Sequence, residues 1–244
     1  MCCSCGHCAA ICPENAISAT QGKLNAFKIL QNEEQHTEIE KLLIGKRSVR
    51  HFKKDAIEKD VLENFIHYAE KSPSSSNKRK REYIIIRDEK KIIELEKAIL
   101  RKFNSLKFII NPITIGLISV FSRKLSLNLK FLLNALAQMN AEFTKKEYPI
   151  FRGAPLVVCV IAPKRAQQSK DDCIIAQQYM MLYAESIGIG SCIIGYAQYA
   201  HKTLEKRLKV KKGYSVYAVS VFGFPKFIYE KEIQYTKTIE VKWM

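Results

Sequence analysis

Five cysteines crowd into the first twelve residues: Cys2, Cys3, Cys5, Cys8 and Cys12. Four of them, Cys2, Cys5, Cys8 and Cys12, follow a C-x2-C-x2-C-x3-C-P pattern that ends on Pro13, and Gly6 lets the loop bend closely around whatever they hold. Thiolates at three-residue spacing wrap one face of a 4Fe–4S cluster, and this is the bacterial iron–sulfur spacing. A zinc site built from Cys2, Cys5, His7 and Cys12 is the alternative, although structural zinc sites usually have two separated ligand pairs. The fourth iron ligand stays open, because in two-cluster proteins the last cysteine of such a run serves the other cluster. Only one run is present, so Cys12, Cys3 or a partner molecule would complete the site.

Two later stretches have the composition to bind an anion and a heterocycle. Gly45-Lys-Arg-Ser-Val-Arg-His-Phe52 gathers Lys46, Arg47 and Arg50 around the Ser48 hydroxyl, and guanidinium groups contact phosphate oxygens in pairs. Lys71-Ser-Pro-Ser-Ser-Ser-Asn77 collects short hydrogen-bonding side chains that would meet the polar edge of a ring. Taken singly, a basic loop is a solvated face and a Ser-Pro-Ser run is a turn. Lys78-Arg-Lys-Arg81 reads as a basic rim around an anionic cofactor or substrate, in preference to a nucleic-acid patch. His36, His51, His67 and His201 are isolated and carry no chemistry by themselves.

These segments need elements to hold them. A helix is expected from Asp55, with Asp55 as cap and Glu58 three residues on, a shared face of Ile57, Val61, Leu62, Phe65 and Ala69, and an end before Pro73. Glu82–Arg87 reads as a strand buried on both faces, and Leu156–Ala162 and Ser215–Phe222 have the same character. Helices are expected near Lys90–Phe103 and Asp172–Ile187, the latter stopped by Gly188. The basic, apolar stretch 104–148 reads as helical, with no assignable chemistry. Strands separated by helices give an α+β or α/β layered domain.

The bulk properties bound the class. At 244 residues and 47% apolar, the chain buries a substantial core. With 40 Lys and Arg against 24 Asp and Glu, its charge of +16 attracts phosphates, nucleic acid or acidic partners without choosing among them. Cys159, Cys173 and Cys192 are scattered through apolar surroundings, which is not the layout of a secreted disulfide scaffold. No basic start followed by an apolar stretch marks a signal peptide. The longest apolar run, Ile109–Phe121, is interrupted by Asn111, Pro112 and Ser119 and falls short of the roughly 20 residues that span a bilayer. A cytoplasmic protein with no membrane partner is expected.

In order and spacing, the Arg-Ser-x-Arg-x-Phe run, the intervening helix and Ser-Pro-Ser-Ser-Ser-Asn77 resemble the opening of the nitroreductase family. The likeness continues through Arg152-Gly-Ala-Pro155, Asp172-Cys173, Gly188-Ile-Gly-Ser-Cys-Ile-Ile-Gly195 and Gly223-Phe-Pro-Lys226. The cysteine-rich start resembles the subgroup that joins a ferredoxin-type segment to this domain. The resemblance implies an α+β nitroreductase-like fold over 38–244, preceded by a linker over 19–37 and an iron–sulfur segment over 1–18. It implies a homodimer with FMN at the interface. Lys46, Arg47, Ser48 and Arg50 would bind it, with Pro73, Ser74, Ser75 and Asn77 from the other subunit, the backbone of Ile194 and Gly195 at flavin N5, and Lys231 at the phosphate. Electrons would come from NAD(P)H, or from a ferredoxin-like carrier through the iron–sulfur centre, and pass to nitroaromatic or quinone-like acceptors.

The sequence departs from the family in three places. Arg79 stands where Gln is common, Tyr83 where Trp is frequent, and Tyr229-x-Lys231-x-x-x-Tyr235 where two arginines are expected, with Lys237 as a substitute cation. The competing readings are a basic, zinc-stabilised nucleic-acid-binding module and a flavin-binding protein without turnover.

Overall fold

The computed structural model describes residues 33–229 and 240–244, together with Cys8, Cys12, Glu14, Ala16 and Ile17. In chain order the helices are α1 (Glu33–Gly45), α2 (Lys59–Glu70), α3 (Glu89–Ser105), α4 (Pro112–Phe121), α5 (Arg123–Thr144), α6 (Ser169–Ser186), α7 (Gly195–Tyr199) and α8 (His201–Arg207). The strands are β1 (Glu82–Ile86), β2 (Leu156–Pro163), β3 (Gly190–Ile193) and β4 (Tyr214–Gly223).

The sheet runs β1-β2-β4-β3, with every pairing antiparallel. β2 is central because its apolar run has somewhere to go on both faces. Val157, Cys159 and Ile161 join Leu95 and Ile99 of α3 in one core. Leu156, Val158 and Val160 join Phe65 of α2 and Ala176 and Met180 of α6 in the other. Burial pushes the Cys159 and Cys173 thiols up to about 12, so both are protonated packing groups. The expected α+β architecture is what the chain adopts.

Two local expectations are corrected. The helix expected from Asp55 begins at Lys59, with Glu58 at its cap position and no side-chain cap bond. The preceding segment is instead fixed by Ile57, which is buried and whose carbonyl accepts a hydrogen bond from Arg87 at 2.9 Å. β1 is not buried on both faces: it is an edge strand paired only with β2, and Ile85 is exposed. Its β-branched composition fits an edge as readily as a centre.

Other signals hold. Gly188, at φ +75°, closes α6: its N–H donates to Glu185 O at 3.1 Å and the Ile189 N–H to Ala184 O at 2.8 Å. That pair of bonds is the Schellman stop. Stretch 104–148 is helical through α4 and α5. Helix α1 begins at Glu33, inside the stretch read as a linker.

Candidate functional site

The basic strip leaves α1 and lies across the ends of β3 and β4. The Val49 N–H donates to Ser191 O at 3.0 Å, giving a parallel Ser48–Ser191 bridge. Farther along, the Lys53 N–H donates to Phe224 O at 2.8 Å and the Lys226 N–H to His51 O at 2.9 Å. Two glycines facing each other across β3 and β4 permit this approach. A Cβ on Gly190 would stand 2.6 Å from Val49 Cγ2, and one on Gly223 would stand 2.9 Å from Phe52 Cδ1. With Val49 anchored inward, its extended-chain neighbours Ser48 and Arg50 turn outward and are exposed.

The strip's cations divide into two kinds. Lys46 turns inward, its Nζ donating to Arg47 O at 2.7 Å and lying 3.4 Å from the Glu185 carboxylate. Arg47 donates to the carbonyls of Ile44 and Lys46, and Arg50 to Ser48 O at 3.4 Å. Neither arginine has a carboxylate partner among the described residues. Beside them β3 runs into Ile194, whose N–H donates to Val219 O at 3.0 Å, and then into Gly195. The space over Gly195 is open, since a Cβ there would meet nothing within 4 Å. Two uncompensated guanidiniums, an outward hydroxyl and an unobstructed glycine fit an anionic cofactor with a flat ring.

The second motif is held elsewhere. Pro73 leads into a turn at Ser75–Asn77, where Ser76 and Asn77 take left-handed backbone at φ 50° and 52°. The Ser75 N–H donates to Asp172 Oδ1 at 2.9 Å, and Ser74 Oγ accepts from the Arg79 N–H at 3.0 Å. Beneath lies Arg81, fully buried, paired with Glu70 at 2.9 Å and donating to the carbonyls of Ala69, Ser72, Pro73 and Asp172. Burial, reinforced by Glu70, pushes the Tyr83 phenol far up, and its hydroxyl donates to Glu70 at 2.6 Å. Arg81 is therefore no part of a basic rim. It ties the carbonyls of the turn that follows α2, Ser72 and Pro73, to the Asp172 carbonyl at the start of α6. Arg79 is likewise turned onto its own loop, bonding Asn77 Oδ1 and Glu70 O.

The two motifs do not meet within one chain. One is tied to Asp172 at the start of α6 and the other to Glu185 near its end, about 20 Å apart at 1.5 Å per residue. A cavity of about 730 Å³ between Lys54, Ile57, Arg87, Ile92, Tyr148 and Pro155 contains none of these motif residues.

The nitroreductase family model matches residues 43–224, which is 182 of the chain's 244 residues. The chain belongs to the nitroreductase family. Membership makes this nitroreductase a flavin-dependent oxidoreductase, the class the sequence resemblance implied. Similar solved structures include a nitroreductase with bound FMN from Bacteroides fragilis, at 21% identity and TM-score 0.62, covering 84% of this chain and 99% of that one. A nitroreductase with bound FMN from Desulfitobacterium hafniense has 19% identity and TM-score 0.61, with 84% and 98% covered. NfnB from Mycobacterium smegmatis, an FMN-dependent nitroreductase in complex with NADPH, has 20% identity and TM-score 0.58, with 79% and 89% covered. No curated protein matches the chain.

The nitroreductase match begins after the cysteine run. Of the expected iron–sulfur ligands, Cys8 is exposed and Cys12 half-buried, while Cys2 and Cys5 lie outside the described residues. No group of three His, Cys, Asp or Glu side chains that could hold a metal occurs among the described residues. Lys231, Tyr235 and Lys237 also lie outside them. Two supporting residues were invisible in the sequence reading: Glu185, which draws Lys46 inward, and Glu70, which anchors Arg81. Both sit near helix C-termini as ordinary surface-type carboxylates, so no local signal marks them.

Proposed function

We propose that this nitroreductase is an FMN-dependent reductase acting as a homodimer. Arg47, Ser48 and Arg50 of one protomer, with Lys231 from the C-terminal segment, would bind the phosphate, the ribityl chain and the polar edge of the flavin. The Ile194 and Gly195 backbone of the same protomer would face N5. The partner would bring Pro73, Ser74, Ser75 and Asn77 to the pyrimidine edge. Lys46, held by Glu185, would set the conformation of the strip from behind and add positive charge to it. The observation that carries this reading is the Ser48–Ser191 bridge, which lays the basic strip beside the β3–Gly195 turn.

A second copy is supported by two features. The half-sites lie at opposite ends of α6, so one chain cannot close a site alone. The outward face of α6 also presents Ile175 and Tyr179, continued by Ile187 just past its end, while the half-buried Tyr183 between them packs on the core and stacks on Tyr68 at 4.2 Å. Such a stripe suits a self-complementary twofold contact.

Hydride acceptance from a nicotinamide and delivery of electrons to an acceptor is the chemistry FMN supplies when bound. The chain's part is orientation and charge, so no acid–base pair is required of it. The donor is NAD(P)H, or a ferredoxin-like carrier acting through a 4Fe–4S centre whose support is the donor set and spacing of Cys2, Cys5, Cys8 and Cys12. Nitroaromatic and quinone-like compounds are the proposed acceptors. Nothing observed favours the zinc-stabilised nucleic-acid module.

Purified protein reconstituted with FMN should be yellow and should bleach when NAD(P)H is added without oxygen, and Arg47→Ala and Asn77→Ala should each lose the flavin. A wild-type chain that stays colourless would overturn the reading. Iron-free protein prepared without oxygen, or a Cys5→Ser variant that still receives electrons from reduced ferredoxin at the wild-type rate, would remove the iron–sulfur branch alone.

A further inference from the structure

The helical hairpin of α4 and α5 is built inside out. Asn111 caps α4 with a capping box to Thr114, and Pro112 occupies its first turn, so the helix starts firmly. Yet of its apolar side chains only Ile115 is fully buried. Ile113, Leu117, Val120 and Phe121, spaced as one helical stripe, face solvent with exposures of 76%, 64%, 80% and 90%. Phe108, at 87%, extends the stripe ahead of the helix. α4 packs against α5, and α5 is fastened to α3 by the paired amides of Asn104 and Asn140 at 2.8 Å and 2.9 Å. The exposed stripe is therefore held outward by an anchored hairpin.

Charge is arranged around it in one pattern. Phe108–Phe121 contains no charged residue, and from Arg101 to Ala141 there is no Asp or Glu. The same stretch carries Arg101, Lys102, Lys107, Arg123, Lys124 and Lys130. None of these six is ion-paired among the described residues.

We propose that this hairpin docks the protein on an anionic lipid bilayer, the α4 stripe entering the headgroup–acyl boundary and the flanking Lys and Arg meeting lipid phosphates. An apolar helical face flanked by cations is how interfacial helices bind. The same face of a second copy fits it less well, because that face would bring the same six cations and no carboxylate from 101–141 to offset them. Spanning is not involved. The ten residues of α4 rise about 15 Å, half the roughly 30 Å hydrocarbon core. No single helix among the described residues is long and apolar enough to cross a membrane. The bent α3–α4 pair reaches that length only through α3, whose Ile92, Leu95 and Ile99 are in the core. The docking departs from the sequence expectation of no membrane partner, which rested on the length of the apolar run, and it does not depend on the flavin reading.

Flotation of the full-length protein with vesicles of phosphatidylglycerol and phosphatidylcholine, against phosphatidylcholine alone, tests it. The protein should float with the anionic vesicles. Leu117→Asp with Phe121→Asp, at exposed positions, should weaken partitioning at least about tenfold, and Lys107→Gln and Lys124→Gln about fivefold each. Trp243 is the chain's single tryptophan, so Phe121→Trp in a Trp243→Phe background gives a local probe whose emission should shift to the blue on those vesicles and be quenched by brominated lipid. The proposal is overturned if the protein does not float, or if the introduced indole stays in water. It is equally overturned if the aspartate variant binds vesicles like the wild type while its mass in solution halves, which would make the face a contact between copies.

Discussion

At the residue scale, the site depends on atoms that are missing as much as on those present. Gly190 has no Cβ, and that absence lets Val49 bring the Arg47–Arg50 strip onto β3. Gly190→Ala would put a methyl group 2.6 Å from Val49 Cγ2 and 2.8 Å from its Cβ, and the branched Val49 cannot rotate both contacts away. Overpacking of this kind costs about 1–3 kcal/mol. Thermal or urea denaturation should show that loss, and flavin retention on gel filtration should fall with it. A Gly190→Ala variant as stable and as yellow as the wild type would mean the strip does not need its close seat. The types of Arg47, Ser48 and Arg50 were legible in the sequence because guanidinium and hydroxyl groups advertise anion binding. Their seating was not, because Ser191 and Val49 are 142 positions apart and only the folded sheet joins them. Arg81 shows the reverse difficulty. It stood in a run of four cations, and composition cannot say that one of them turns in to bind the carbonyls of Ser72, Pro73 and Asp172.

At the element scale, α3 carries a carboxylate that no local sequence pattern singles out. Glu96 is fully buried and accepts the N–H groups of Ile150 at 2.8 Å and Phe151 at 3.2 Å, tying the segment before β2 to the helix. Burial raises it from its ordinary 4.5 to about 7, against the pull of those two bonds and of Arg152. The folded value lies above the unfolded one, so the folded state holds the proton more tightly. The associated stability is complete below pH 4.5 and is lost as the pH rises to about 7. At 1.36 kcal/mol per pH unit that loss is at most about 3 kcal/mol. Glu96→Gln should flatten it: about 1 kcal/mol less stable than the wild type in acid for want of an ideal acceptor, and level with it or better at neutral pH. Urea midpoints measured across the range decide the matter, and parallel pH curves for the two proteins would contradict it. The helices and strands themselves were largely legible, α6 with its glycine stop and β2 with its unbroken apolar run above all. The start of α2 and the place of β1 were not, since a capping pattern competes with a buried Ile57 and a short apolar run looks alike at an edge and at a centre.

At the scale of the whole molecule, separation of the half-sites along α6 makes a prediction about assembly that does not depend on knowing the substrate. If each flavin lies between the Arg47 side of one protomer and the Asn77 side of its partner, the Arg47→Ala and Asn77→Ala homodimers each have two damaged sites. A mixed dimer concentrates both defects in one site and leaves the other with neither. After subunits exchange, random pairing makes half the dimers mixed, so about a quarter of the wild-type sites should return. Flavin content and NAD(P)H oxidation of the mixture, measured against each variant alone, report this directly. A site built within one chain would give no recovery, because every chain in the mixture carries a lesion. Recovery near a quarter therefore separates a shared site from an internal one, even where both bind flavin equally well. The exposed Ile175 and Tyr179 of α6 supply the control: Tyr179→Glu should prevent pairing and abolish the recovery, while leaving the monomer folded, because Tyr179 already faces solvent.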